Sequence, residues 1–111
     1  MRTLIWDNSF KRAFKPFVRK NPQLQEKIFN TISVLETDPF ASSLRFQKLS
    51  GQLEGLWACS VAYDCRIVFA FREVENVKDK AIVLIDIGTH DEVIGAIALL
   101  YISDYYQSSY T

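Results

Sequence analysis

The sequence predicts an α+β fold: a small, mostly antiparallel sheet of about four strands, an N-terminal helical hairpin packed on one face, and a candidate C-terminal helix. Two periodicities and their order carry this reading. Apolar residues recur at steps of three and four at Phe10, Phe14, Phe17 and Val18, and again at Leu24, Ile28, Ile32 and Leu35, which is the repeat of a buried helix face. From Trp57 the period changes to two, the repeat of a strand. Helices come first and strands follow, so the two classes are segregated along the chain.

Taken in order, Leu4-Ile5-Trp6 is a short apolar run suited to a strand, and Asp7, Asn8 or Ser9 offers the side-chain oxygen that caps a helix start. Pro16 falls inside the helix that follows, where its ring and missing N–H should kink or shorten it. Asn21-Pro22 reads as the N-cap and first position of a second helix, which Asp38-Pro39 ends. The first clear strand puts Trp57, Cys59, Val61 and Tyr63 on one side, with Ala58, Ser60 and Ala62 on the other. Cys65 to Phe71 is a second strand, Glu73 to Lys80 a charged hairpin loop, and Ala81 to Ile87 a near-continuous apolar run suited to an inner strand. The three make a meander, whose face away from the helices is expected to be concave and polar. From Val93 to Tyr106, Ile94, Ile97, Ala98 and Tyr101 keep helical spacing, which Gly95 weakens.

The 111 residues suit one domain spanning 1–111, and 49% hydrophobic residues with eight Phe suit one core. No run of about 18 apolar residues exists and the first residues lack a signal-peptide pattern, so a cytoplasmic protein without a membrane partner is expected. Cys59 and Cys65 are too few for a disulfide framework or a zinc site and read as buried, reduced thiols. Thirteen basic and thirteen acidic residues cancel, without the strongly basic balance of a typical nucleic-acid binder. The charges are nevertheless segregated. Arg2, Lys11, Arg12, Lys15, Arg19 and Lys20 face only Asp7 within residues 1–22, whereas after Lys80 come Asp86, Asp91, Glu92 and Asp104 with no Lys or Arg. The basic first helix is either a solvated face or a surface for RNA phosphates or an acidic partner segment.

His90, the only histidine, follows Gly88-Thr89 after the last apolar strand. Imidazole titrates between pH 5 and 8, so His90 is either a general acid or base or a structural hydrogen bonder. Asp64 is either a hairpin turn residue or an acid of the site. Arg66, two residues on and hence expected on the same strand face, either holds a phosphate or pairs with Asp64. Lys48 is a second phosphate contact or a solvated lysine.

The order strand, helix, helix and three strands accompanies three segments: Lys48-Leu49-Ser50-Gly51-Gln52-Leu53-Glu54-Gly55-Leu56-Trp57, Tyr63-Asp64-Cys65-Arg66-Ile67-Val68-Phe69, and Ile87-Gly88-Thr89-His90-Asp91-Glu92-Val93. Together they resemble the RelE/ParE superfamily of toxins from bacterial type II toxin–antitoxin modules, nearest to the YafQ-like and RelE/StbE-like members. The resemblance covers nearly the whole chain. It implies a ribosome-dependent mRNA endoribonuclease needing no metal or cofactor, held inactive by a cognate antitoxin, and meeting operator DNA only as the toxin–antitoxin complex. It implies His90 as proton donor to the leaving oxygen, Asp64 as a catalytic aspartate, Arg66 on the phosphate, and Ser60 as a substrate contact where YafQ-like toxins carry another histidine. Two positions depart from the pattern. Gln47, four before Gly51, stands where histidine is common, and Ile94, four after His90, stands where an aromatic residue is usual. Gln47 cannot exchange a proton near neutral pH and Ile94 cannot stack on a base as an aromatic does. Two other readings therefore stand beside the nuclease: a ParE-like gyrase-binding toxin, and a decayed toxin that acts only in an antitoxin-bound autorepressor.

Overall fold

Asp7 sets the start of the first helix. Its carboxylate accepts hydrogen bonds from the backbone N–H and hydroxyl of Ser9, which satisfies one of the orphan donors of a helix start. The computed structural model describes residues 1–49 and 51–89. In them β1 (Leu4–Trp6) leads into α1 (Asn8–Lys20), a 3₁₀ turn (Pro22–Leu24) and α2 (Gln25–Thr37). A second 3₁₀ turn (Ser42–Leu44), β2 (Gln47–Lys48) and a third 3₁₀ turn (Gly51–Leu53) precede β3 (Trp57–Ala62), β4 (Cys65–Arg72) and β5 (Ala81–Gly88). The expected helix over Val93 to Tyr106 lies outside the described residues. None of the described helices is long and apolar enough to cross a membrane.

The sheet has five strands in the order β1-β5-β4-β3-β2. The expected meander β3-β4-β5 is there, and every pairing is antiparallel except that of β1 with β5, where Leu4, Ile5 and Trp6 run parallel to Ile82, Val83 and Leu84. The fifth strand, β2, is only Gln47 and Lys48. Two polar residues carry no periodicity, so pairing with Ala58 and Trp57 rather than side-chain pattern makes them a strand.

Two local expectations change. α1 runs through Pro16 to Lys20, because Pro16 is exposed and its ring points away from the packed face. The cost is the hydrogen bond that the Arg12 carbonyl loses and the crowding of that carbonyl by the ring. Asn21 closes α1 instead of capping α2: its backbone N–H donates to the Phe17 and Val18 carbonyls and its Nδ2 to the Phe17 carbonyl. α2 then starts after the 3₁₀ turn, and at its end the Asp38 carboxylate accepts from the N–H of Phe40.

Both helices cover one face of the sheet. Phe10, Ile28, Leu35, Cys59, Ile67, Phe69, Ile82 and Leu84 are fully buried there, and Trp6 meets Phe10 and Phe14 edge to face at 5.1 and 5.7 Å. The other face is less polar than expected. Leu49, Leu53 and Leu56 fold onto Ala58 and Val68 to form a second, smaller cluster. Gly51 and Gly55 allow this, since both have positive φ, +66° and +93°, with nothing near the position of a Cβ. The N-terminus is held by Arg2, whose guanidinium lies 5.9 and 5.5 Å from the Phe40 and Phe71 rings and donates to the Lys80 carbonyl.

The hydrogen bonds from Ser9 hold the Asp7 carboxyl below its ordinary value. Its capping contribution is therefore fully present above the unfolded-state pKa of about 3.9 and is lost as pH falls through the lower folded value. Asp7→Ala is expected to lower the urea-unfolding free energy by about 1 kcal/mol at pH 7, with the gap narrowing below about pH 4. Pro16→Ala is expected to raise stability by about 1–3 kcal/mol in the same assay, because it restores a helix hydrogen bond at an exposed position.

Candidate active site

At one end of the sheet a hairpin turn, a β-bulge and the end of β5 come together. The β3–β4 register slips between Ser60 and Ala62, so that Ala62 rather than Val61 pairs with Cys65, and the Ser60 hydroxyl donates to the Ala62 carbonyl at 3.1 Å. The extra residue turns both Val61 and Ala62 towards the helix-side core and breaks the alternation expected through Tyr63, which is fully exposed. Asp64 is accordingly a turn residue, exposed to solvent, and not part of the strand face that carries Arg66.

Asp64 lines a cleft of about 750 Å³ on the helix side. Ala62 and Tyr63 of the same hairpin, Asp86, Ile87 and Thr89 of β5 and its exit, and Ala13, Pro16, Phe17, Lys20, Asn21 and Leu24 complete its described wall. The volume suits a nucleotide-sized group. Its described lining includes one basic residue, Lys20, and two acidic ones, Asp64 and Asp86. His90 is the next residue in sequence after Thr89; both it and Ile94 lie outside the described residues.

The other predicted residues divide between the faces. Arg66 is half-buried and in register with Ser60 on β3 and Gly88 on β5. Because its neighbours Cys65 and Ile67 point into the helix-side core, Arg66 and Ser60 share the opposite face. Gln47 is exposed on that face too, opposite Ala58. Lys48 is not: it pairs with Trp57 and holds its Nζ 5.8 Å from that ring. Asp64 and Arg66 make no ion pair within 4.0 Å of one another. The turn and the bulge thus place Asp64 at the rim of the cleft and Arg66 just behind it on the sheet.

Sequence reasoning did not single out Lys20 or Asp86. Asp86 had a signal, as the one charged residue in Ala81–Gly88; its carboxylate accepts from the Ile87 N–H at 2.8 Å. Lys20 had only its membership of the basic set of the first helix. No group of three or more His, Cys, Asp or Glu side chains could hold a metal ion among the described residues. The two thiols are not nucleophiles. Burial pushes the Cys59 thiol up to about 12 and the Cys65 thiol up to about 11, and both are free.

No protein-family model matches the chain, and no curated protein sequence matches it. Solved structures do. A YoeB/ParE toxin from Agrobacterium tumefaciens is 22% identical, with 79% of this chain covering 98% of that one at a TM-score of 0.66. YafQ from E. coli strain BL21(DE3) is 16% identical, with 84% of this chain covering 98% of that one at a TM-score of 0.67. A chain of the E. coli DinJ–YafQ toxin–antitoxin complex is 18% identical, with 82% of this chain covering 94% of that one at a TM-score of 0.64. The fold is that of the YoeB, ParE and YafQ toxins.

The raised thiol values give a direct check. At pH 8 about one in a thousand Cys65 and one in ten thousand Cys59 side chains is ionised. Iodoacetamide is therefore expected to label neither in the folded protein, and both at the ordinary rate in urea, by intact-mass spectrometry.

Proposed function

We propose that the chain is the toxin of a type II toxin–antitoxin module, a cytoplasmic, ribosome-dependent mRNA endoribonuclease that a cognate antitoxin neutralises. One observation carries the reading: on a fold shared with YafQ, Asp64 and the Thr89 that precedes His90 line one cleft, with Arg66 two residues from Asp64. The likeness to the DinJ–YafQ complex supports an antitoxin partner. Operator DNA is met only as that complex.

In the proposed reaction an RNA 2′-hydroxyl oxygen attacks the adjacent phosphorus and the bond from phosphorus to the 5′-oxygen of the next nucleotide breaks. The products are a 2′,3′-cyclic phosphate and a 5′-hydroxyl. His90 supplies the proton that the leaving 5′-oxygen takes up. Asp64 accepts the 2′-proton. Arg66 offsets the charge that builds on the phosphate oxygens, a role its fixed cation suits without any change of protonation. Ser60 hydrogen-bonds substrate in this reading, which its register beside Arg66 supports; its hydroxyl donates to the Ala62 carbonyl in the free protein and exchanges that partner on binding. Gln47 and Ile94 supply neither a titrating group nor a stacking ring, which fits a slow enzyme. The separation of Asp64 from the Arg66 face favours, as the second reading, a toxin that binds its partner without cutting RNA.

Induced expression in a bacterial host, with mRNA 5′ ends mapped, separates these. Growth arrest with cuts inside translated codons is expected, falling at least about a hundredfold in His90→Ala and comparably in Arg66→Gln. Arrest without cuts would move the assignment to a gyrase-type poison, and absence of arrest to the binding-only form.

A further inference from the structure

We propose that the outer face of α1 is a binding surface for the phosphate backbone of RNA, leading to the cleft at Asp64. This deepens the proposed function, and rests on it only for which RNA is met. At 100° per residue, Lys11, Arg12, Lys15 and Arg19 fall within about 100° of arc, opposite the Phe10, Phe14 and Phe17 face that α1 buries. All four are exposed, and α1 contains no acidic residue. Arg12 is partly compensated, since its charge acts on Asp7. The side chains of Lys11, Lys15 and Arg19 make no ion pair or hydrogen bond with any described residue.

Position adds to charge. Lys11 and Arg19 are about 12 Å apart along the helix axis, enough to follow a few consecutive phosphates. Lys20, one residue beyond Arg19, lies in the wall of the cleft that Asp64 and Thr89 also line. A strand held along the stripe therefore runs towards the cleft. Five of the thirteen Lys and Arg lie in α1, which holds no acidic residue to offset them, so this face is locally basic on a chain that is neutral as a whole. RNA is favoured over an acidic protein segment because α1's outer face offers a row of cations without an exposed apolar anchor between them, and protein partners need such an anchor.

The test is fluorescence anisotropy of the full chain with a labelled single-stranded RNA and an RNA duplex, each of about 12 nucleotides per strand, over a salt series from roughly 50 to 200 mM. Lys11→Gln/Lys15→Gln/Arg19→Gln is compared with Lys27→Gln/Lys78→Gln/Lys80→Gln, which removes the same charge from exposed positions elsewhere. The first triple is expected to weaken binding at low salt at least about tenfold and to reduce the slope of log affinity against log salt by about 2, and the second by well under 1. A preference for the single strand would identify the message, and for the duplex a folded RNA; either supports the inference. Equal losses from both triples, or no loss, would overturn it. So would binding of poly-glutamate, but not RNA, through the three residues. Cleavage is not read in this assay. If the nuclease reading fails, RNA binding by the stripe survives, and if the stripe fails, His90-dependent cutting is untouched.

Discussion

The parallel pairing of β1 with β5 is the constraint on which the rest depends. It joins the first residues of the chain to a strand almost eighty positions later, through Leu4, Ile5 and Trp6 against Ile82, Val83 and Leu84. The Ile82 N–H donates to the Thr3 carbonyl, the Asp7 N–H to that of Leu84 and the Ser9 hydroxyl to that of Ile85, which extends the clamp on both sides. With β1 fixed, α1 must begin over β5, and Phe10 is carried into the core beneath it. Closing so long a loop costs entropy before any contact repays it, and burial of Phe10, Ile28, Leu35, Phe69 and Leu84 on the same face supplies the return.

From that clamp follows the position of the cleft. β5 enters beside β1 and leaves at Gly88 and Thr89, next to the hairpin at Tyr63 and Asp64 and below the last turn of α1. The bulge at Val61 uses one extra residue to end the regular pairing there. It sends Val61 and Ala62 into the core and frees the turn beyond them for solvent. Functional groups are thus gathered at a place where the sheet stops obeying a strict repeat, as it does again between Val68 and Phe69 along the β4–β5 pairing, while the sheet behind them is locked by Ile67, Val68 and Phe69, each wholly buried.

Electrostatics is organised on the same frame. A neutral chain carries an acid-free group of cations on the outside of α1 and sets Asp64 and Asp86 at the cleft near its end. The two thiols lie on the helix-covered side of the sheet, where desolvation keeps them protonated. Arg66 remains on the other face, with no carboxylate of the described residues within ion-pairing distance.

The sequence by itself determined α1, α2 and the β3-β4-β5 meander, because helical and strand periods are local consequences of burying one face and can be read from Phe10 to Leu35 and from Trp57 to Ile87. It also narrowed the first helix's cap to Asp7, Asn8 or Ser9 and marked Asp38-Pro39 as the end of the second helix, signals that need only a side chain and its next neighbours. Only the tertiary structure decided the parallel partner of β1, the two-residue strand at Gln47 and Lys48, and the apolar cluster under Leu49, Leu53 and Leu56. Each is a pairing between segments distant in sequence, on which local pattern is silent. The candidate site was legible as a set of residue types and not as an arrangement. A period-two rule put Asp64 and Arg66 on one face, and one inserted residue beside the turn, with the exit of β5 and the end of α1 brought against it, placed them on either side of the sheet.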